Sequence, residues 1–468
     1  MSAQGSLYAW PGRERRPCSD RSALLHRATS ALAEDHPQFS ARQVLTRRQA
    51  AFFTTLVAVA VAAFAAWPAA ASEAIVAGMS AGFLISLVLR CALALAGKAP
   101  AVCPAAGRDG LPVYSILVPV YREAGMIPQL ARALAALDYP PDKLDIWLVV
   151  EEDDAETRTA VRAAGLKAIA VPVAQPRTKP KACNYALPFT RGEYVVVFDA
   201  EDRPEPDQLR KAVAAFRTHP EVSCFQARLA VDRAPAWVSR MFAVDYALWF
   251  RILLPGLACL KAPIPLGGTS NHFRAAALVE AGAWDPFNVT EDADLGARLA
   301  RLGHRVAVLD STTWEEAPMR LLSWLRQRTR WMKGYMQTLL VHTRSPSRLV
   351  GEVHPGGALL LLAFLGGAVW SALVNPLLWI ICLSGLLFGE QDSGTLAWLS
   401  CVSGVTLLVA NMLLAVLAAL NSGRQGVAVV LTYPFYWLLL PAATYRALWQ
   451  LLHDPFRWEK TPHGAALR

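Results

Sequence analysis

The hydrophobic pattern changes character several times along the chain. Residues 1–50 are polar and rich in arginine (Arg13, Arg15, Arg16, Arg21, Arg27, Arg42, Arg47, Arg48). Residues 51–71 and 75–96 are then nearly unbroken apolar runs, each close to the roughly 20 residues that cross a bilayer as a helix. The minimal link at Ser72-Glu73 predicts a hairpin. From about residue 112 to 346 the pattern alternates. "YSILVPV", "LDIWLVV", "KAIAVPV" and "EYVVVFDA" are short, apolar and β-branched, as buried strands are. Between them, "AGMIPQLARALAAL", "DAETRTAVRAAG" and "KPKACNYALPF" read as helices. Strands alternating with helices predict an α/β fold with a mostly parallel sheet and right-handed crossovers. Ligands in such sheets sit at the carboxyl ends of the strands.

Apolar blocks return at 357–388, 395–420 and 427–452. Three simple crossings would leave the C-terminus outside, yet "YRALWQLLHDPFRWEKTPHG" is basic and aromatic, as an interfacial segment is. One block is therefore expected to split into a span and an interfacial or re-entrant helix. The pattern divides the chain into an Arg-rich tail (1–50), two transmembrane helices (51–97), a central domain (98–350) that ends in an amphipathic interface helix, C-terminal transmembrane and interfacial helices (351–452), and an end segment (453–468). Arginines ahead of the first span place the tail, the central domain and the end segment in the cytoplasm.

Composition agrees with a membrane chain: of 468 residues, 54% are hydrophobic and only 18% charged. The net charge of +9 fits Lys and Arg gathered on cytoplasmic segments. No aromatic-and-basic motif accompanies it, so no nucleic-acid partner is expected. The polar opening is too long and charged for a simple signal peptide. The eight cysteines stand singly, without C-x-x-C or metal spacing, and reduced thiols are expected rather than a disulfide framework.

The candidate chemistry is acidic. "VVVFDAEDRPEPDQL" sets five carboxylates behind a strand, and Asp199, Glu201 and Asp202 suit a hard, oxygen-loving cation, Mg²⁺ or Mn²⁺. "VVEEDDAET" (149–157) is a second acidic site past a strand, although Asp153 or Asp154 equally suits a helix N-cap. Lys179 and Lys181 sit at a helix opening, where a phosphate fits. Glu291, Asp292 and Asp294 follow Thr290 in "NVTEDADLG". Asp292 is a candidate general base there, though the same group would serve as a helix start. "LLSWLRQRTRWMKGYMQ" (321–337) has apolar and arginine faces, as a membrane-surface helix does.

In order and spacing, these motifs resemble the membrane-embedded family 2 glycosyltransferases, the inverting group with cellulose and hyaluronan synthases, over about residues 115–331. The resemblance implies a nucleotide-sugar-binding (GT-A-like) sheet domain inserted between transmembrane helices. Pro119, Tyr121 and Glu123 resemble the family's uridine-binding strand end. Glu151-Glu152 stands where the family has Asp-Asp, and Lys181 with Asn184 resembles its Lys-Ala-x-Asn element near the pyrophosphate. Asp199-Ala200-Glu201 takes the D-x-D place, with Asp202 sharing its work. Gly268, Thr269 and Ser270 belong to the acceptor-side loop, Thr290-Glu291-Asp292 matches T-E-D, and Gln327, Arg330 and Trp331 complete Q-x-x-R-W.

By resemblance the metal and these residues hold a nucleotide-diphosphate sugar, with a UDP-sugar the expected donor. Asp292 takes the proton of the acceptor hydroxyl, with Glu291 beside it, Arg330 assists the leaving diphosphate and Trp331 stacks on the acceptor sugar. Lys460, in "FRWEKTPHG", resembles a nucleotide-closing motif. The implied enzyme is an inverting, processive hexosyltransferase that elongates a β-linked polysaccharide at the bacterial inner membrane. Single addition to a lipid-linked acceptor is the alternative. A third reading is a largely structural partner in exopolysaccharide secretion, similar to phage-adsorption inner-membrane proteins. Membrane lipid and an outer-envelope export protein are the implied partners.

Overall fold

The computed structural model describes residues 20–100, 104–388, 394–422 and 427–459. Eight strands form one sheet: β1 (Tyr114–Val120), β2 (Leu144–Glu151), β3 (Ala168–Val171), β4 (Tyr194–Val197), β5 (Arg203–Pro204), β6 (Val222–Val231), β7 (Asn271–Arg274) and β8 (Arg305–Glu315). Their order is β3-β2-β1-β4-β7-β6-β8-β5. The pairs β3-β2, β2-β1, β1-β4 and β6-β8 are parallel. β7 lies antiparallel between β4 and β6, and β5 is antiparallel to β8. The sheet is thus mixed. The parallel half expected from the alternating pattern is extended by an antiparallel insert that the sequence does not announce.

Successive side chains on a strand point to opposite faces, and each face here has its own core. Ile116, Val118, Leu148, Val150 and Val196 pack with Leu130, Leu134, Val161, Leu209 and Val213 from helices Ile127–Ala135, Ala155–Ala163 and Gln208–Thr218. Leu117, Val149, Val195 and Val197 face the other way. They join a core that takes in helices Lys179–Ala186 and Glu291–Arg301 and runs on to Leu361, Leu365, Leu414 and Tyr436. The sheet domain and the apolar helices therefore share one continuous hydrophobic interior.

Five helices are long and apolar enough to cross a membrane among the described residues: Arg47–Ala66, Pro68–Ala96, Trp237–Cys259, Pro346–Leu387 and Trp398–Asn421. The first hairpin turns at Trp67-Pro68 rather than at Ser72-Glu73. Pro68 occupies the first turn of its helix, where a missing N–H costs nothing. Thr46 caps the first helix in a reciprocal box with Gln49. Trp237–Cys259 was not marked as apolar helix by the pattern. It lies under the sheet domain, two-thirds buried, and a π-helical turn at Trp249–Leu253 interrupts it. The third C-terminal block is the one that splits, into Val427–Thr432, Tyr433–Trp437 and Leu439–His453. The last of these packs against Leu321–His342, the expected interface helix. Cys382 and Cys401 form a disulfide between the two long C-terminal helices, where reduced thiols were expected. The two residues face each other across packed helices, which single spacing along a sequence cannot reveal.

Candidate active site

The carboxyl ends of β1, β2 and β4 open onto a cavity of about 1030 Å³ that continues between the apolar helices. Pro119, Tyr121, Glu123, Glu151 and Arg177 line its outer end. Tyr121 is flanked by two guanidinium groups, Arg177 at 4.5 Å and Arg122 at 5.1 Å from its ring centre, and Arg177 is itself held by Asp153. Arg177 was missed by motif reading, because an arginine in a Pro-rich loop carries no spacing signal.

Two adjacent lysines take different parts. Thr178 caps helix Lys179–Ala186. Lys179 reaches into the cavity, where it pairs with Asp199 and donates to the Gly268 carbonyl at 2.7 Å. Burial opposes its charge, but Asp199 and Glu291 together hold the ammonium above its ordinary value. Lys181 points the other way. It is fully buried against Glu151 at 2.8 Å and the Pro172 carbonyl at 3.2 Å, and burial pushes both partners toward neutrality. Of the two lysines it is therefore Lys179 that faces the cavity, and Lys181 that supports its wall. Asn184 also faces inward. Its side chain brackets Trp284, accepting from the backbone N–H at 3.1 Å and donating to the carbonyl at 2.7 Å, and donates to Ala28 O of the N-terminal helix. Glu152 is turned outward to Arg21.

Among the acidic residues after β4, Asp199 and Glu201 line the cavity. Asp202 does not. Its Oδ2 accepts from the Asp199 N–H at 2.7 Å and from the Thr269 hydroxyl, so it braces the loop from behind. Burial, then the charges of Glu315, Asp199 and Glu201, push its carboxyl well up. Glu315, at the end of β8, is a further cavity carboxylate that sequence reading missed. Burial and the neighbouring Glu201 and Asp199 raise it to about 8. No group of three or more His, Cys, Asp or Glu side chains converges on a metal position among the described residues. Even so, the site fits Mg²⁺ or Mn²⁺: its donors are oxygens, the carboxylates of Asp199, Glu201 and Glu315 line the cavity, and their crowded charge favours a cation. Such ions commonly bind through one or two carboxylates and complete their shell with substrate phosphates and water.

Thr290-Glu291-Asp292 opens helix Glu291–Arg301. Asp292 lines the cavity, half-buried, and accepts from the Ala293 N–H at 2.9 Å. A side chain at Gly268 would lie 3.4 Å from Asp292 Oδ2, so the glycine leaves the carboxylate's approach open. Burial raises Asp292, and burial together with the Asp292 charge raises Glu291 to about 8. Gly334 of the interface helix lets that helix meet Thr290, because a Cβ there would collide with the threonine side chain. Thr269 and Ser270 are buried and hydrogen-bonded inward, Ser270 to Thr313 at 2.7 Å. Of the acceptor-loop residues, Gly267 and Gly268 are the ones that form the wall.

The interface helix carries Gln327, Arg330 and Trp331 into the same cavity. Trp331 is fixed by a stack with Tyr246 at 6.3 Å and by Arg328, 4.6 Å over its face. Gln327 Oε1 and Arg330 Nε are buried without hydrogen-bond partners among the described residues. The C-terminal segment closes this side. Lys333 Nζ donates to Arg457 O at 2.8 Å, Gln337 Nε2 to Pro455 O at 3.1 Å, and Phe456 packs edge-on to Phe287. Trp458 is thereby placed at the cavity wall, while Lys460 lies outside the described residues.

Residues 112–334, from the start of β1 to the middle of the interface helix, match the family described as glycosyltransferase like family 2. These residues form a family 2 glycosyltransferase domain. A β-monoglucosyldiacylglycerol synthase of Trichormus variabilis is 29% identical over 50% of this chain and 51% of its own. A probable glucomannan 4-β-mannosyltransferase of Arabidopsis thaliana is 27% identical over 49% of this chain and 44% of its own. The chain spans about half the length of the curated relatives it matches. Among solved structures, the mannosyltransferase PcManGT of Pyrobaculum calidifontis, in complex with GDP-mannose and Mn²⁺, has a TM-score of 0.56 at 21% identity. It covers 82% of this chain and 99% of its own. That likeness carries the fold, the GT-A type sheet expected for the glycosyltransferase domain.

Proposed function

We propose that the protein transfers a sugar, with inversion, from a nucleotide-diphosphate sugar to an acceptor hydroxyl presented from the membrane side. The observation that carries this reading is the single cavity shared by Asp199, Glu201, Asp292, Arg330 and Trp331, which extends onward between apolar helices. The nucleoside lies against Pro119, Tyr121 and Arg177. Lys179 and Arg330 meet the diphosphate, a planar guanidinium suiting phosphate in a way an ammonium does not. Asp199 and Glu201 hold the divalent ion, which when bound neutralises charge on the departing diphosphate. Asp292 accepts the proton of the acceptor hydroxyl as that oxygen attacks the anomeric carbon from the face opposite the leaving group. An α-linked donor then yields a β-linked product. Trp331 positions the acceptor sugar by stacking.

Processive elongation of a β-glycan by a UDP-sugar enzyme, in the inner membrane and with a cytoplasmic site, is the fuller form of this proposal. Four of the long helices flank the domain in two pairs, which returns the C-terminal segment to the domain's side and supports that orientation. Single addition to a lipid-linked acceptor is the second reading, favoured by the charge buried in the inner part of the cavity. Nucleotide release by purified protein in nanodiscs, across UDP- and GDP-sugars with Mg²⁺ or Mn²⁺, tests the proposal. Release with one donor and a polymer supports elongation, release with a lipid-extractable product supports single addition, and no release together with no nucleotide binding overturns both.

A further inference from the structure

Beyond Trp331 the cavity enters a chamber walled by Arg90, Asp245, Arg328, Tyr433 and Tyr436. Its one carboxylate is fully engaged. Asp245 Oδ1 accepts from Tyr433 at 2.7 Å, and Oδ2 accepts from Arg328 at 2.6 Å and from Tyr436 at 2.9 Å. Arg328 and Asp245 thus cancel. Arg90 remains. It stands on the apolar helix Pro68–Ala96, partly buried, and donates through Nη1 to Asn411 Oδ1 at 3.1 Å on the neighbouring apolar helix. No carboxylate lies within ion-pair distance of it among the described residues. A guanidinium among membrane helices is expensive, and it persists where it faces a polar cavity and serves a ligand. Arg90 and Asp292 line the same cavity, as does Tyr335, which stacks on Trp249.

We propose that Arg90, steadied by Asn411, is an anion subsite that holds the phosphate of a membrane-lipid acceptor while a separate hydroxyl of the same lipid points toward Asp292, which takes its proton. A lipid fits better than a free anionic sugar because the cavity lining also includes Ala368, Trp437 and Leu440, apolar side chains that an acyl or prenyl tail would cover. The inference deepens the lipid-acceptor reading and rests on it. A neutral growing glycan would leave the Arg90 charge without a purpose.

The test separates lipid binding from sugar transfer. Protein in a phosphate-free alkyl maltoside detergent is loaded with phosphatidylglycerol or with diacylglycerol, and retained lipid is counted by native mass spectrometry. Wild type and Asp292→Asn should retain phosphatidylglycerol alike and should not retain diacylglycerol. Arg90→Gln should lose retention about tenfold or more, the scale of a lost hydrogen bond to a charged group, and Arg90→Lys should keep most of it. If Arg90→Gln does not fold, Asn411→Leu should weaken retention severalfold. Unchanged retention in either variant, or equal retention of diacylglycerol, overturns the subsite. Nucleotide binding is titrated in parallel. Its failure in wild type would sink the glycosyltransfer reading while the lipid count still decides Arg90.

Discussion

The guanidinium carbon of Arg330 lies over the indole of Trp458, 4.8 Å from the ring centre. One residue comes from the interface helix and the other from the end of the chain, so this contact joins the proposed diphosphate site to the segment that covers it. Arg330→Lys keeps the charge but loses the planar guanidinium and its fork of donors. It should lower kcat/KM by about tenfold or more in a nucleotide-release assay, as two weakened interactions of this kind imply. A rate within twofold of wild type would argue against the placement.

A pH profile tests the buried carboxyls. Burial raises Asp292, and burial with the adjacent charge raises Glu291 to about 8. A base works only when deprotonated, so activity should fall as pH drops through the raised value. The acid limb of kcat/KM, which reports the free enzyme, should inflect above the range of an ordinary aspartate, about 4. Full activity down to that ordinary range would contradict the burial argument.

Removing the divalent ion should stop both nucleotide binding and transfer, with recovery on adding Mg²⁺ or Mn²⁺. Glu201→Gln should raise the metal concentration needed for half-maximal rate. Turnover in excess chelator would remove the ion from the account.

Lys181 makes a stability prediction rather than a catalytic one. Breaking a buried ion pair from one side leaves the other charge stranded, at a cost of about 3–5 kcal/mol. Lys181→Met should therefore lower the thermal midpoint sharply, and Lys181→Met with Glu151→Leu should recover much of it. If the double variant were no better than the single one, the pair would not be the reason.

The sequence made the parallel half of the sheet legible, because buried strands and amphipathic helices alternate with clear periods. It also matched Asp199, Glu201, Asp292, Gln327, Arg330 and Trp331 to three motifs of one family, and all six line the cavity. What it could not give was direction. Lys179 and Lys181 are two positions apart on one helix, about 200° around its axis, and only packing decides which enters the site. Asp202 and Glu201 adjoin, yet the chain turns one carboxylate to the cavity and the other onto Thr269. Glu315 and Arg90 arrive from distant elements with no motif to mark them. The Trp237–Cys259 helix escaped notice because its charges, among them Asp245 and Arg251, interrupt an otherwise apolar run.

The central claim is that Asp292 removes the acceptor's proton in a site that binds nucleotide without its help. The most direct measurement pairs nucleotide release with nucleotide thermal-shift titration in Asp292→Asn. Transfer should fall by about 100-fold to 10,000-fold, the range general-base catalysis supplies, while the nucleotide-induced shift stays at the wild-type value. Turnover near wild type would contradict the assignment of the base.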